Sequence, residues 1–134
     1  MVYLTRVEHF NAAHKLFNPN WSDEKNFEMF GVCANKNWHG HNYELHVTVK
    51  GEPDPETGFI IDVKKLGEII RETIILQLDH RNLNLDVPFM SGKMASTEVL
   101  VREIWHQLKP YIQGCELHQL RLYETPRIYA DYFG

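Results

Sequence analysis

The sequence predicts an α+β fold, an antiparallel sheet with two helices packed on one of its faces, and three observations point to it. The run HNYELHVTVK, His41 to Lys50, sets Tyr43, Leu45, Val47 and Val49 on one side and Glu44, His46, Thr48 and Lys50 on the other. That is the two-residue period of a half-buried strand. Two later runs repeat apolar residues every three or four positions, the period of a helix with one buried face. Strand-like segments joined by tight turns stand at both ends of the chain, so the order reads β-β-β-α-α-β-β.

Taken in order, Val2 to Phe10 is an imperfectly alternating strand, interrupted by Arg6, Glu8 and His9. In Asn18 to Gly31, Ser22 can cap a short helix that carries Asp23 and Glu24 in its first turn and stops at Gly31. GEPDPETG after the clearest strand is turn chemistry, and Gly58 to Ile61 is expected to return as a hairpin partner. Asp62 can cap the first long helix, VKKLGEIIRETIIL, whose stripe is Val63, Leu66, Ile70 and Ile74. Asp79 to Ala95 shows no period and reads as loop. Ser96 or Thr97 can cap the second helix, TEVLVREIWHQLK, with Leu100, Ile104 and Leu108 as its stripe, stopped by Pro110 and Gly114. Glu116 to Glu124 and Arg127 to Phe133 read as strands around the turn Thr125-Pro126. With both helices on one face, the other sheet face lacks cover, and a second subunit is the expected cover.

Composition bounds the function. The chain has 134 residues, enough for one domain with its own core, and residues 1–134 are read as a single domain without repeats or linkers. A net charge of −4 gives no support to nucleic-acid binding. The opening MVYLTRVEHF does not read as a signal peptide, and no apolar run reaches the length of a membrane span. The two cysteines, Cys33 and Cys115, form no CxxC pattern, which excludes a small disulfide scaffold. The expectation is a soluble, cytoplasmic protein with no nucleic-acid or membrane partner.

Chemistry gathers around WHGHNY. His39 and His41, two apart on an extended chain, project to the same side, and Gly40 between them lets the backbone approach a ligand. His14 ends the first strand segment. Three neutral imidazoles with an open fourth position form a catalytic zinc set, while an HxH pair alone is more often two partly exposed strand histidines. Cys33 stands six residues before His39; beside a metal or imidazolium its thiol would serve as base or nucleophile, and otherwise it is a small buried hydrophobe. Asp79-His80 could form a proton relay or a helix-end cation beside a cap. Glu124, ending an alternating strand, could accept two hydrogen bonds from a guanidine-like edge, or simply be an exposed carboxylate.

FNAAHKL, C-x5-HGHNYEL, DPETGFIID, LDHRNL, STE and LYET stand in the order seen in 6-pyruvoyltetrahydropterin synthases. The chain resembles that family from Val7 to about Tyr132, the SDEKNFEMFG loop included. The resemblance implies the tunnelling fold, a four-stranded antiparallel sheet backed by two helices. Three such subunits close a twelve-stranded barrel, and two trimers stack as a homohexamer with active sites between subunits. It implies conversion of 7,8-dihydroneopterin triphosphate to 6-pyruvoyltetrahydropterin, with elimination of triphosphate and no redox cofactor. By the same resemblance His14, His39 and His41 hold Zn2+, and Cys33 is the general base. Asp79 and His80 are its relay partners from the adjacent subunit. Glu124 anchors the pterin, and Thr97 lines the same pocket. Trp38 departs from the family pattern, where the animal enzymes carry a small residue, and bears on substrate access. A rival on the same fold is 6-carboxytetrahydropterin synthase of queuosine-precursor synthesis, which uses the same substrate but releases acetaldehyde and places its cysteine nearer the HxH pair. A third reading, a non-catalytic zinc-stabilised pterin-binding module, would need no Cys33, Asp79 and His80 together.

Overall fold

Strands β1, Val2–His14, and β2, His39–Gly51, form the longest antiparallel pair of this computed structural model, which describes residues 1–134. Their register runs without a slip from Val2↔Gly51 to His14↔His39. Both strands alternate, so Phe10, Ala12 and His14 of β1 share the inner face with Tyr43, Leu45, Val47 and Val49 of β2, and all of these are buried. β4, Glu116–Thr125, pairs with the other side of β2, and β5, Ile128–Tyr132, closes that edge.

Three helices complete the chain. Helix α1, Asp23–Phe30, starts at Ser22, whose hydroxyl accepts from Lys25 N. Helix α2, Val63–Ile70, starts at Asp62, whose carboxylate accepts from Lys64 N; it continues through a π-helical segment, Arg71–Ile75, and a closing turn, Leu76–Leu78. Helix α3, Thr97–Leu108, is capped by Ser96. Leu66, Ile70, Ile74 and Leu78 from the α2 segment meet Leu100, Ile104 and Leu108 of α3 and the inner sheet face in one hydrophobic core. None of these helices is long and apolar enough to cross a membrane.

The sheet departs from the expected four antiparallel strands and two helices. It is a mixed sheet of five strands in the order β3-β1-β2-β4-β5, and α1 brings the helices to three. β3, Arg81–Asn82, lies in the segment read as loop and pairs parallel to β1 at Ala12 and Ala13; two residues are too few to show a period. Gly58 to Ile61 is no strand. The turn is held by Asp54 Oδ1, which accepts from Glu56 N and Thr57 N, and the return arm's backbone-to-backbone bonds go back to Asp54 alone, Gly58 N to Asp54 O and Asp54 N to Phe59 O, before Asp62 opens α2. Val63, expected in the buried stripe, is exposed at the first turn of α2, and Leu78 lies buried at the far end.

The outer sheet face has no cover within the chain. Its residues are held to one another instead: Thr5 to Thr48 at 2.8 Å, His46 to Glu44 at 2.6 Å, and Arg121 to Asp131 through two bonds at 2.7 and 2.8 Å.

Candidate active site

The antiparallel register places His14 directly opposite His39 and Ala12 opposite His41. The final inner-face positions of both strands are therefore imidazoles where the preceding ones are core residues. The rings of His14 and His39 are 4.6 Å apart between centroids, and His41 lies 5.0 Å from each. One nitrogen from each ring lies within 4.8 Å of the others, the only such group of potential metal ligands in the chain.

Their protonation follows from their surroundings. His14 Nδ1 is 2.7 Å from the carbonyl oxygen of Ala95. A carbonyl only accepts, so Nδ1 carries the proton and Nε2 presents its lone pair. Burial lowers the pKa of His14, and burial likewise lowers that of His41 against the opposing pull of Glu124. Both rings are thus held neutral near pH 7, the ligand-ready form. His14 Nε2, His39 Nδ1, His41 Nε2 and Tyr43 Oη are the only buried side-chain polar atoms of the protein without a hydrogen-bond partner. Buried polar groups are nearly always satisfied, so four orphans in one place mark a site made for something else to bind. The fit to a metal with three imidazole ligands and an open position is good.

Glu124 stands beside this cluster. Its Oε1 is 3.5 Å from His41 Nε2 without a hydrogen bond between them, and its Oε2 accepts from Thr97 Oγ1. Thr97 is buried at the first position of α3, so the helix start fixes the carboxylate. Thr97 and Glu124 line a cavity of about 210 Å³ together with Leu16 and Tyr129. Tyr43, next on the same face after His39 and His41, stacks edge-on to His14 and His41. Burial, and then the Glu124 charge, push its phenol pKa far up, so it stays protonated. The alternation that singled out His39 and His41 extends to Tyr43, which sequence reading took for core alone; nothing in the sequence pointed to the Ala95 carbonyl.

The other expected residues lie apart from the triad within one chain. Cys33 is half-buried on a short 3-10 turn, Gly31–Ala34, and its carbonyl accepts from Leu16 N at 2.8 Å, tying the turn to the exit of β1. Asp79 and His80 pair at 3.0 Å on the β1 edge, where Asp79 Oδ1 accepts from Asn11 N at 3.0 Å. That backbone donor is the main cause holding the Asp79 carboxyl below its usual range. His80 is 77% exposed with φ at +60°; neither residue hydrogen-bonds the triad or Cys33. Gly40 faces β1, where a side chain would press on Ala12 O at 3.4 Å. Trp38, also in the left-handed region at +68°, packs its ring under Lys15 Nζ at 4.4 Å.

The family model of 6-pyruvoyl tetrahydropterin synthase matches residues 3–134. This chain belongs to the 6-pyruvoyl tetrahydropterin synthase family. Among its relatives, the 6-pyruvoyl tetrahydrobiopterin synthase of Poecilia reticulata is 39% identical over 98% of this chain and 90% of its own length. The solved 6-pyruvoyl tetrahydropterin synthase of Caenorhabditis elegans superposes with a TM-score of 0.93 at 36% identity, covering 99% of this chain and 95% of that one. More distant is the 6-carboxy-5,6,7,8-tetrahydropterin synthase of Bacillus subtilis, 27% identical over 96% of this chain and 83% of its own. The names of these relatives thus cover both the pyruvoyl and the carboxy synthases.

Proposed function

We propose that this chain is a zinc-dependent lyase that converts 7,8-dihydroneopterin triphosphate to 6-pyruvoyltetrahydropterin by eliminating triphosphate and shifting hydrogens within the side chain. The observation that carries this reading is the convergence of three unpartnered, buried imidazole nitrogens beside a carboxylate fixed by Thr97. His14, His39 and His41 would hold the Zn2+, which supplies Lewis-acid polarisation of side-chain oxygens. Glu124 accepts from the amino and ring N–H groups of the pterin edge, a charge-assisted pair that sets the ring's orientation. Thr97 occupies one oxygen of that carboxylate and keeps it aimed. Cys33, carried on the turn tied to β1, takes the role of general base at the substrate side chain. Asp79 and His80 of an adjacent subunit relay its proton. The exposure of His80 and the bare outer sheet face both accord with a homohexamer, a dimer of trimers, whose active sites lie between subunits. The working form is a single-domain cytoplasmic enzyme with no redox cofactor.

Mass spectrometry of the product formed from 7,8-dihydroneopterin triphosphate tests this reading. The expected outcome is the pyruvoyl product with free triphosphate. Release of acetaldehyde would assign the chain to the 6-carboxytetrahydropterin synthase reaction instead, and zinc binding with intact substrate would make it a pterin-binding module.

A further inference from the structure

A substrate held by its pterin edge at Glu124 carries its triphosphate at the other end of its side chain, and the roles assigned so far include no cation to receive it. Arg6, Lys50, Arg71, Lys93, Arg102 and Arg121 are already tied to carboxylates. Lys15 and Lys36 have no carboxylate partner, and both line one cavity of about 430 Å³.

That cavity adjoins the site along the chain. Lys15 directly follows His14, and Ala34, in its wall, directly follows Cys33. The bond from Leu16 N to Cys33 O at 2.8 Å fixes the two walls to each other. Leu16 itself lines the Glu124 cavity, so the same short stretch of chain separates the carboxylate side from the lysine side. Lys15 is not a free surface lysine. Its Nζ lies 4.7 Å from the Phe17 ring centroid and 4.4 Å from that of Trp38. Two aromatic faces hold the ammonium in place while leaving its N–H groups able to donate to an anion. The cavity also contains Asp23, so two cations face one carboxylate, and its positive balance opposes the chain's net charge of −4.

We infer that this cavity, through Lys15 and Lys36, binds the triphosphate arm of the substrate, with Trp38 and Phe17 holding Lys15 in position. The inference rests on the proposed pterin triphosphate reading and names the part of the site that receives the leaving group. An ammonium on the departing phosphate oxygens favours the elimination, because the leaving triphosphate takes up the electron pair of the broken C–O bond. Trp38, with its strained backbone, is accordingly a positioning residue for the Lys15 charge and no obstacle to the substrate.

Isothermal titration of the zinc-loaded full chain with inorganic tripolyphosphate tests the site directly, and the KM for 7,8-dihydroneopterin triphosphate tests its use. Lys15→Gln and Lys36→Gln should each weaken tripolyphosphate binding about fivefold to tenfold, the effect of losing one charge-assisted contact. They should raise KM in parallel, with zinc content unchanged. Lys64→Gln, an exposed cation on α2, should leave both unaltered. Lys36 lies at an exposed turn, so its variant keeps the test alive if Lys15→Gln disturbs its neighbour His14. Equal tripolyphosphate binding in wild type and lysine variants, as chelation of the metal alone would give, overturns the inference, and so does an unchanged KM. If the protein makes no pterin product yet its lysine-dependent tripolyphosphate binding persists, the functional reading fails while the anion site stands.

Discussion

The two faces of the sheet satisfy their polar atoms in opposite ways. On the outer face, hydroxyls, carboxylates and cations pair within the chain: Thr5 with Thr48, Glu44 with His46, Arg121 with Asp131. On the inner face the strands are apolar up to the last rungs, where His14, His39, His41 and the Tyr43 hydroxyl are buried with four atoms left unpaired. Leaving a buried donor or acceptor unmade costs about 1–3 kcal/mol each. A fold that meets its hydrogen bonds elsewhere and leaves them open at one spot is stabilised there by what binds. The outer face meets these hydrogen bonds within the chain, whereas the inner end is completed only by a ligand.

The sharpest way to break that comparison is to remove a ligand. His41→Ala should take bound zinc from about one ion per chain to nearly none and abolish turnover, since three imidazoles are the minimum set for an open catalytic site. Full occupancy of His41→Ala, measured by plasma mass spectrometry, would sink the metal assignment. Cys33→Ala should keep its zinc and lose turnover, because the thiol is assigned to chemistry and not to ligation.

A second test asks whether the inner end is complete in one chain. Cys33→Ala and His80→Ala proteins should each be nearly inactive. Unfolded and reassembled together, they should give both intact groups at about a quarter of the sites, by random pairing around a closed ring. No recovery in reassembled oligomers of native size would place the relay within one subunit.

Stability should follow the same division. Leu45 is fully buried under the helices, so Leu45→Ala should cost about 2–5 kcal/mol. Thr5→Ala removes one outer-face hydrogen bond, with no cavity left behind, and should cost at most about 1 kcal/mol. Urea unfolding of the two variants compares them directly, and equal losses would mean that the outer face carries packing that the single chain does not show.

Strongly periodic segments were legible in the sequence: β2, the stripe of α3, and the caps Ser22, Asp62 and Ser96 all form where the residues indicated. The His39–His41 pair was visible as a same-side pair, but bringing His14 opposite it depends on strand register, which is set by long-range pairing. β3 was missed because its two residues take their structure from β1. Gly58 to Ile61 had a hairpin's turn chemistry, yet the Asp62 cap draws the chain into α2 before a ladder forms. The fourth orphan, Tyr43 Oη, was hidden because an aromatic on an apolar face reads as core, and only the depth of its hydroxyl reveals it.

The smallest effect concerns the segment that holds His14 in place. Ala95, which fixes the His14 tautomer, lies between Lys93 and the Ser96 cap of α3. Lys93 Nζ donates to Phe89 O at 2.7 Å and to Glu103 Oε2 at 2.8 Å, while Arg102 donates to the other oxygen of Glu103 at 3.1 Å. The hydrogen bond from Lys93, followed by that from Arg102, holds the buried Glu103 carboxyl below its usual range against the opposing effect of burial. A carboxyl depressed on folding stabilises the native state above the unfolded pKa of about 4.3, and that contribution is lost as the pH falls through the lower folded value. Glu103→Gln should therefore cost about 1 kcal/mol at pH 7, an estimate that allows for the partly exposed lysine. The cost should stay level down to about pH 5 and shrink at more acidic values, because wild-type Glu103 then becomes protonated and neutral like the glutamine. Denaturant midpoints of the two proteins measured across that range would show it. A difference that grows towards acid would mean that the carboxylate is a burden on the fold, and that the loop behind His14 is held by its backbone and the Ser96 cap alone.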